Sequence, residues 1–289
     1  MVFRGRPVKL PDQMAEGTRR LANALQSFVA LGIGNYGAMA IGLAVNVLLA
    51  RRLGTEQYGR LAMMLMASQV LQLVAVNWSH VGFVRFGSRE FASKGEIAET
   101  LWTRLGLVLP TAGLGALAIV LAHHPLAVYL GIPDSGVWLI LVHFGGACTL
   151  SIIGGVFQAR NQMARYGVCL FLDKTVMLLC VVVIPATWVA NPLTILGCYA
   201  ASSLSVAIWA VSILGVRVLR PVLAPRSAYR NMVLFSTPVL LSSWAGLFGA
   251  NWFDLVILKW YVPMSAIGLY SLATQLAGVV QQITVIFST

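Results

Sequence analysis

The sequence predicts an all-α, polytopic helical membrane protein with about eight transmembrane helices. Of its 289 residues, 58% are hydrophobic and only 10% are charged, and the mean hydropathy is +0.82; about a quarter of the residues of a soluble domain are charged. Apolar runs long enough to cross a hydrocarbon core of about 30 Å recur along the chain. Lys and Arg gather at the ends of these runs, so the net charge of +11 is typical of membrane topology and does not indicate nucleic-acid binding.

The apolar runs define the predicted spans. They cover residues 28–50, 61–83, 105–122, 137–158, 168–190, 193–216, 232–258 and 265–288. Prolines inside three of them, Pro110, Pro185 and Pro238, are expected to kink their helices because each removes a backbone donor. The four cysteines lie within or beside apolar runs and are expected to be small packing residues, with no disulfide or metal site implied.

The distribution of cations predicts the orientation. The N-terminal segment and the connections 84–104, 159–167 and 217–231 carry fifteen Lys and Arg residues, whereas the alternate connections carry four. Cytoplasmic loops are enriched in these residues. The N-terminus is therefore predicted to be cytoplasmic.

A weak internal repeat organises the chain. The stretch from Leu48 to Leu73 contains a helix end, a charged break with Arg51, Arg52, Glu56 and Arg60, and a second apolar helix, and a similar layout returns 209 positions later. One gapless frame pairs Gly37 with Gly246, Leu49 with Leu258, Gly59 with Gly268, Val70 with Val279, Gln72 with Gln281 and Val76 with Val285. Such a period is typical of transporters built from two homologous bundles. We therefore predict a cytoplasmic segment at 1–27, a six-helix bundle with its linker at 28–231, and the first two helices of a second bundle at 232–289.

Ionisable residues within the spans are candidate functional residues. Asp173 and Lys174 lie inside the fifth span, and Asn251 and Asp254 share a face of the seventh at i, i+3 spacing. A charge at mid-membrane costs about 3 kcal/mol on insertion scales, so it usually faces a protein cavity. The alternative is that Lys174 extends to the cytoplasmic surface and Asp254 to the outer one.

Enzymatic activity is not predicted. No paired carboxylates lie in a loop where a nucleotide sugar and a metal ion could bind, and the loops are too short for a soluble catalytic domain. His123 and His124 are adjacent in a predicted outer loop, where solvation is a better interpretation than metal binding.

Three stretches carry a resemblance to a known family. They are LLARRLGTEQYGRLAMM at 48–64, HVGFVRFGSREFASKGEIAETLWTRLGLVL at 80–109 and FSTPVLLSSWAGLFGANWFDLVILKWYVPMSAIGLYSLATQLAG at 235–278. In order and spacing they resemble the lipid-linked oligosaccharide flippases of bacterial polysaccharide and O-antigen synthesis, whose superfamily also holds multidrug exporters and the lipid II flippase. The resemblance covers almost the whole chain after residue 27.

The resemblance implies translocation of an undecaprenyl-diphosphate-linked oligosaccharide from the cytoplasmic to the periplasmic leaflet of the bacterial inner membrane by alternating access. The candidates for a cationic cavity that receives the diphosphate are Arg51, Arg52, Arg85, Arg89 and Lys174. Asp254, helped by Asn251, is the candidate for coupling to Na⁺ or a proton, with no other cofactor expected. Polysaccharide polymerases or other assembly proteins are possible partners.

Two other functions stay open at this stage. Family members have about twelve or more helices, whereas about eight are predicted here, so we expect the flippase to be truncated and not to restore export alone. The first alternative function is therefore that of a non-transporting remnant. A cation-coupled exporter of small molecules on the same fold is the other alternative. An exporter of that kind should have an acidic, aromatic-lined cavity rather than a cationic one.

Overall fold

The computed structural model describes residues 10–185, 188, 190–215, 218, 220–249 and 251–288, with side chains between 29 and 278 except at 243, 244, 246–249 and 251–253. This part of the chain forms ten α-helices and no strand, which confirms the all-α prediction. The helices are α1 Leu10–Ala75, α2 His80–Lys94, α3 Ala98–Leu121, α4 His123–Leu130, α5 Asp134–Ala159, α6 Met163–Val183, α7 Pro192–Leu214, α8 Arg226–Gly249, α9 Asn251–Tyr261 and α10 Met264–Ser288.

Five of the described helices are long and apolar enough to cross a membrane. One of these segments, Val29–Ala75, has 47 residues, about twice the length that one crossing needs. The others are α3, α5, α6 and α7. The chain is therefore a multi-pass helical membrane protein.

Gly54 divides α1 into two helical segments. It has φ 72° and ψ 168°, a conformation open to glycine because it has no β-carbon. The charged break predicted over 51–60 is thus too long: one non-helical residue separates the first two spans. We call the side of the bundle that carries this turn the Gly54 end, and the opposite side, where α2 meets α3, the Gly95 end.

The predicted loop at 84–104 is mostly helical. The second span ends at Ala75, earlier than residue 83, and a 3₁₀ turn over Asn77–Ser79 leads into α2. Gly95, with φ 73°, ends α2 before α3 begins. The Glu90 carboxylate accepts hydrogen bonds from the backbone N–H groups of Glu99 at 3.0 Å and Thr100 at 2.8 Å. Such bonds satisfy otherwise unpaired donors in the first turn of α3 and fix the tight connection.

Two further details correct the sequence-based boundaries. Pro110 and Pro238 lie inside α3 and α8 as predicted, but Pro185 follows the end of α6 rather than kinking it. The residue before a proline is disfavoured in helical geometry, and Ile184 is extended, with ψ 133°. The seventh predicted span, 232–258, is divided between α8 and α9, and residue 250 between them lies outside the described residues.

The apolar core joins both segments of α1 to the rest of the bundle. It includes Leu49, Met63, Ile140, Met177 and Ile195, all buried. These side chains come from α1, α5, α6 and α7, with α9 and α10 packing on the same cluster. The core lies beside a region in which polar side chains of the same helices face one another.

Candidate functional site

A polar cavity of about 510 Å³ lies between α1, α5, α6, α7 and α10. We call it the central cavity. Its polar lining consists of Asn35, Asn46, Gln69, His143, Asp173, Lys174, Tyr199 and Gln275. On α1 the lining residues 35, 39, 42 and 46 recur at helical spacing and therefore share one face.

Asp173 and Lys174 form an ion pair at this cavity. The Lys174 Nζ lies 2.9 Å from Asp173 Oδ2, and the carboxylate is buried while the ammonium is partly open. The other oxygen, Asp173 Oδ1, accepts hydrogen bonds from the hydroxyls of Ser202 at 3.0 Å and Ser203 at 3.1 Å on α7. The pair faces the protein interior, so Lys174 does not extend to the surface. Because Asp173 neutralises Lys174, these two residues together add no net charge to the cavity.

His143, on α5, lines the same two cavities as the ion pair. Its Nδ1 is 2.8 Å from the Ser68 hydroxyl, and its ring meets that of Tyr199 edge to face, with centroids 6.0 Å apart. The Lys174 ammonium is 5.9 Å from the centroid of the same tyrosine ring, within the range of a cation–π contact. These contacts hold the aromatic and imidazole groups against the cavity wall.

A second cavity of about 290 Å³ extends towards the Gly95 end. This inner cavity shares Gln69, His143, Asp173 and Lys174 with the central one and continues to His80. The ion pair therefore stands where the two cavities meet. A polar path leads from the middle of the bundle towards its Gly95 end.

Arg51 and Arg52, two of the predicted cavity cations, are exposed at the Gly54 end. Arg52 Nη1 donates a 2.8 Å hydrogen bond to the carbonyl of Val181, in the last turn of α6. Arg51 lies at a shallow apolar groove with Leu48 and Leu178. Neither residue lines the central or the inner cavity.

Arg85 and Arg89 are exposed at the Gly95 end. The Arg85 guanidinium lies 4.4 Å from the centroid of the Phe235 ring on α8. Arg89 lines a separate pocket of about 320 Å³ that also contains Glu90 and Lys94. There the hydrogen bond to Glu99, at 2.7 Å, raises the pKa of Lys94. The five predicted cations thus lie in three places, and among them Lys174 alone lines the central cavity.

Asp254 lies outside both cavities. Its carboxylate is exposed and accepts a 2.7 Å hydrogen bond from the Tyr270 hydroxyl on α10. The side chain of Asn251 lies outside the described residues. The predicted coupling role of these two residues therefore stays a prediction.

Most of the uncharged cavity lining is absent from the residues predicted from the sequence. The amides of Asn35, Asn46 and Gln69 interrupt apolar runs at positions that fall on one face of each α1 segment. Polar residues at helical spacing within a span are a readable signal for a cavity. Ser202 and Ser203 donate hydrogen bonds to Asp173. This contact could not be predicted from the sequence because it depends on how α6 and α7 pack.

Comparisons with known proteins identify the family. Residues 24–289 match the family described as polysaccharide biosynthesis protein. Searches of curated proteins and of solved structures give no match. The family match covers most of the chain, and its members are transporters or flippases rather than enzymes. The chain belongs to the polysaccharide biosynthesis protein family.

Proposed function

We propose that this protein binds an undecaprenyl-diphosphate-linked oligosaccharide and moves it from the cytoplasmic to the periplasmic leaflet of the bacterial inner membrane. Family membership supports a role in transport during polysaccharide synthesis. The observation that carries the choice of substrate is the amide lining of the central cavity. Asn35, Asn46, Gln69 and Gln275 offer both donors and acceptors there.

Sugar hydroxyls also donate and accept hydrogen bonds, so amides are suitable partners for them. An amide keeps this capacity at any pH, and it imposes no net charge on the ligand. The cavity volume of about 510 Å³ is within the range of small-ligand sites, which extends from about 300 to 1,000 Å³. A short oligosaccharide therefore fits this space in size and in hydrogen-bonding chemistry.

The charge balance disfavours a cationic drug as the ligand. Among the described residues of the central cavity the one carboxylate, Asp173, already has Lys174 as its partner. A drug cation would have to compete with that ammonium for the carboxylate. The same pair limits the attraction for a diphosphate, so the central cavity is better suited to the sugar portion of the substrate.

Transport in one direction also needs a fixed orientation in the membrane and a source of energy. The N-terminus and the Gly95 end face the cytoplasm, in accordance with the fifteen-to-four distribution of Lys and Arg. Asp254, with Asn251, binds Na⁺ or a proton and biases one of the two access states. A polysaccharide polymerase would consume the translocated unit on the outer side.

Translocation in proteoliposomes tests this function. The full-length protein is reconstituted with an undecaprenyl-diphosphate oligosaccharide that carries a fluorescent sugar, and its appearance in the opposite leaflet is measured with a membrane-impermeant quencher. We expect protein-dependent translocation that the Gln69→Leu variant slows, because the amide is replaced by a group of similar size that forms no hydrogen bonds. Gln57→Leu, outside both cavities, is the matched control.

A small-molecule exporter would give a different result. Such a protein would move a lipophilic cation and leave the labelled lipid in its original leaflet. That outcome, or equal lipid translocation by wild type and Gln69→Leu, would contradict the proposed role of the central cavity.

A further inference from the structure

Arg104 is a fully buried cation in α3. It has an exposed fraction of 0%, and none of its three guanidinium nitrogens has a hydrogen-bond partner among the described residues. It lies six residues after the start of α3, about 9 Å along the helix. An ionised group buried without a partner is strongly unfavourable. Its presence therefore calls for an explanation beyond packing.

The immediate neighbours of Arg104 explain its position but not its charge. The guanidinium carbon lies 4.8 Å from the centroid of the Phe83 ring on α2. Gly155 of α5 lies beside both side chains: a β-carbon there would be 2.7 Å from Arg104 Nη1 and 2.9 Å from Phe83 Cδ1. The glycine leaves room for the guanidinium beside the α5 backbone. A methionine would fill the same space without the cost of removing a charge from water.

The inner cavity ends next to this arginine. His80 and Gly154 both line that cavity. Phe83, which covers the guanidinium, lies one helical turn after His80 on the same face of α2, and Gly154 directly precedes Gly155. The His80 Nδ1 is also buried and without a partner among the described residues, while its Nε2 is 3.3 Å from the Gln158 side chain.

We propose that this end of the inner cavity is a binding site for a phosphate-class anion, held by Arg104 with His80 on the cavity side. Guanidinium groups bind phosphate oxygens through paired, charge-assisted hydrogen bonds. His80 and Phe83 have β-carbons only about 5–6 Å apart. The site requires the long arginine side chain to rotate from the ring towards His80, one helical turn away on α2, so that the guanidinium reaches the cavity.

The natural source of the anion rests on the proposed function. For a lipid-linked oligosaccharide, the diphosphate would occupy the Arg104 site and the sugars the central cavity. The Asp173–Lys174 pair stands between the two parts of the substrate. A free phosphate or pyrophosphate has the same chemistry and is the alternative source.

Calorimetric titration of the full-length protein in phosphatidylcholine nanodiscs tests the site. Inorganic pyrophosphate and undecaprenyl diphosphate are titrated separately into wild type, Arg104→Met and the control Arg165→Met, whose arginine is exposed and contacts Gln162. We expect Arg104→Met to weaken binding about tenfold or more, because a charge-assisted hydrogen bond is lost. The control should bind like wild type. Pyrophosphate binding would indicate a site for free anions, whereas binding of undecaprenyl diphosphate alone would indicate the lipid headgroup as the source.

Thermal stability separates this site from a structural role. Arg104→Met should be at least as stable as wild type, and a bound anion should raise the Tm of wild type but not of the variant. If Arg104→Met does not fold, Arg104→Lys and His80→Gln replace it, and both should weaken binding. Equal affinities in wild type and folded variants, or no binding of either anion, would overturn the proposal. Translocation by the wild type would in that case leave the proposed function standing, whereas anion binding without translocation would refute the function alone.

Discussion

Gly59 and Gly268 contact each other where the second segment of α1 crosses α10. A β-carbon on Gly59 would lie 3.0 Å from Gly268 N, and a β-carbon on Gly268 would lie 3.0 Å from Gly59 N. Each would also clash with a carbonyl oxygen of the other helix, that of Met264 for Gly59 and that of Thr55 for Gly268. The contact is therefore the same when seen from either helix.

This symmetry follows the internal repeat. The two glycines are 209 positions apart, and so are Thr55 and Met264. Repeat-related residues that meet in this way lie about a local two-fold axis, as in an interface between two copies of one surface. Two helices approach this closely only where both lack a side chain. The crossing fixes the second segment of α1 against α10 near the Gly54 end.

Alanine at either glycine should separate these helices. We expect Gly59→Ala and Gly268→Ala each to lower the free energy of unfolding by about 1–3 kcal/mol, since the backbone on the other side cannot move like a flexible side chain. Gly145→Ala is the control, because a β-carbon there meets no atom within 4 Å. It should be neutral or stabilise α5 by about 0.5–1 kcal/mol. Unfolding in mixed detergent micelles measures all three, and equal stabilities would argue against a tight crossing.

The ion pair at the cavity should show strong coupling. Lys174→Met leaves the buried Asp173 carboxylate without its cation, and Asp173→Asn leaves the ammonium without its anion, so each should destabilise the fold. The double variant should recover part of the loss, with a coupling energy of about 1–3 kcal/mol. The exposed pair of Arg60 and Glu56, joined at 2.7 Å, should show a coupling energy of only about 0.3–0.5 kcal/mol. Additive effects at Asp173 and Lys174 would mean that their contact contributes little.

The sequence predicts the helices better than the site. Hydropathy and length locate α5, α7 and α10 to within a few residues, because a span must be apolar for a fixed length. The pair Asn191 and Pro192 also indicates the start of α7, because asparagine is a favoured N-cap and proline a favoured first helical residue. In the structure the Asn191 side chain accepts a hydrogen bond from Leu193 N–H. Short helices are harder to predict: α2 has only 15 residues, too few for a span, and charged side chains interrupt it, so hydropathy alone predicts a loop there.

The candidate site was only partly predictable for a related reason. A charge count shows which residues are cations, but it does not show which side of a helix faces a cavity. Lys174 lines the central cavity, whereas Arg51 and Arg85, which the charge count favours equally, lie elsewhere. The burial of Arg104 depends on the packing of α2, α3 and α5, which no local pattern reveals.

Cysteine labelling tests the orientation of the bundle. In a background with the native cysteines replaced by alanine, a membrane-impermeant maleimide should label His124→Cys in intact cells but label Lys94→Cys only after the membrane is opened. Both native side chains are well exposed, so access to water is not limiting. Labelling of residue 94 from outside would reverse the orientation inferred from the distribution of Lys and Arg.

Substitutions around Asp254 test ion coupling. We expect Asp254→Asn in the full-length protein to abolish the dependence of translocation on a Na⁺ or proton gradient, because the anionic group is removed while its size is kept. Tyr270→Phe removes the 2.7 Å hydrogen bond but leaves the carboxylate, so gradient dependence should remain. Lys259→Gln tests the alternative that Asp254 forms an ion pair with Lys259 instead of binding a transported ion. An unchanged rate and gradient dependence in Asp254→Asn would exclude the coupling role.

Photocrosslinking from the central cavity most directly tests the claim that it receives the sugar portion of a lipid-linked oligosaccharide. A photoreactive amino acid is placed at Asn46, which lines the cavity, or at Leu117, which is exposed on α3 and outside both cavities. The protein is then irradiated with undecaprenyl-diphosphate oligosaccharide radiolabelled in its sugar. We predict a labelled adduct from position 46 that excess unlabelled substrate suppresses, and background labelling from position 117. Equal labelling from both positions, or none from position 46 that the substrate can suppress, would contradict the assignment of the cavity.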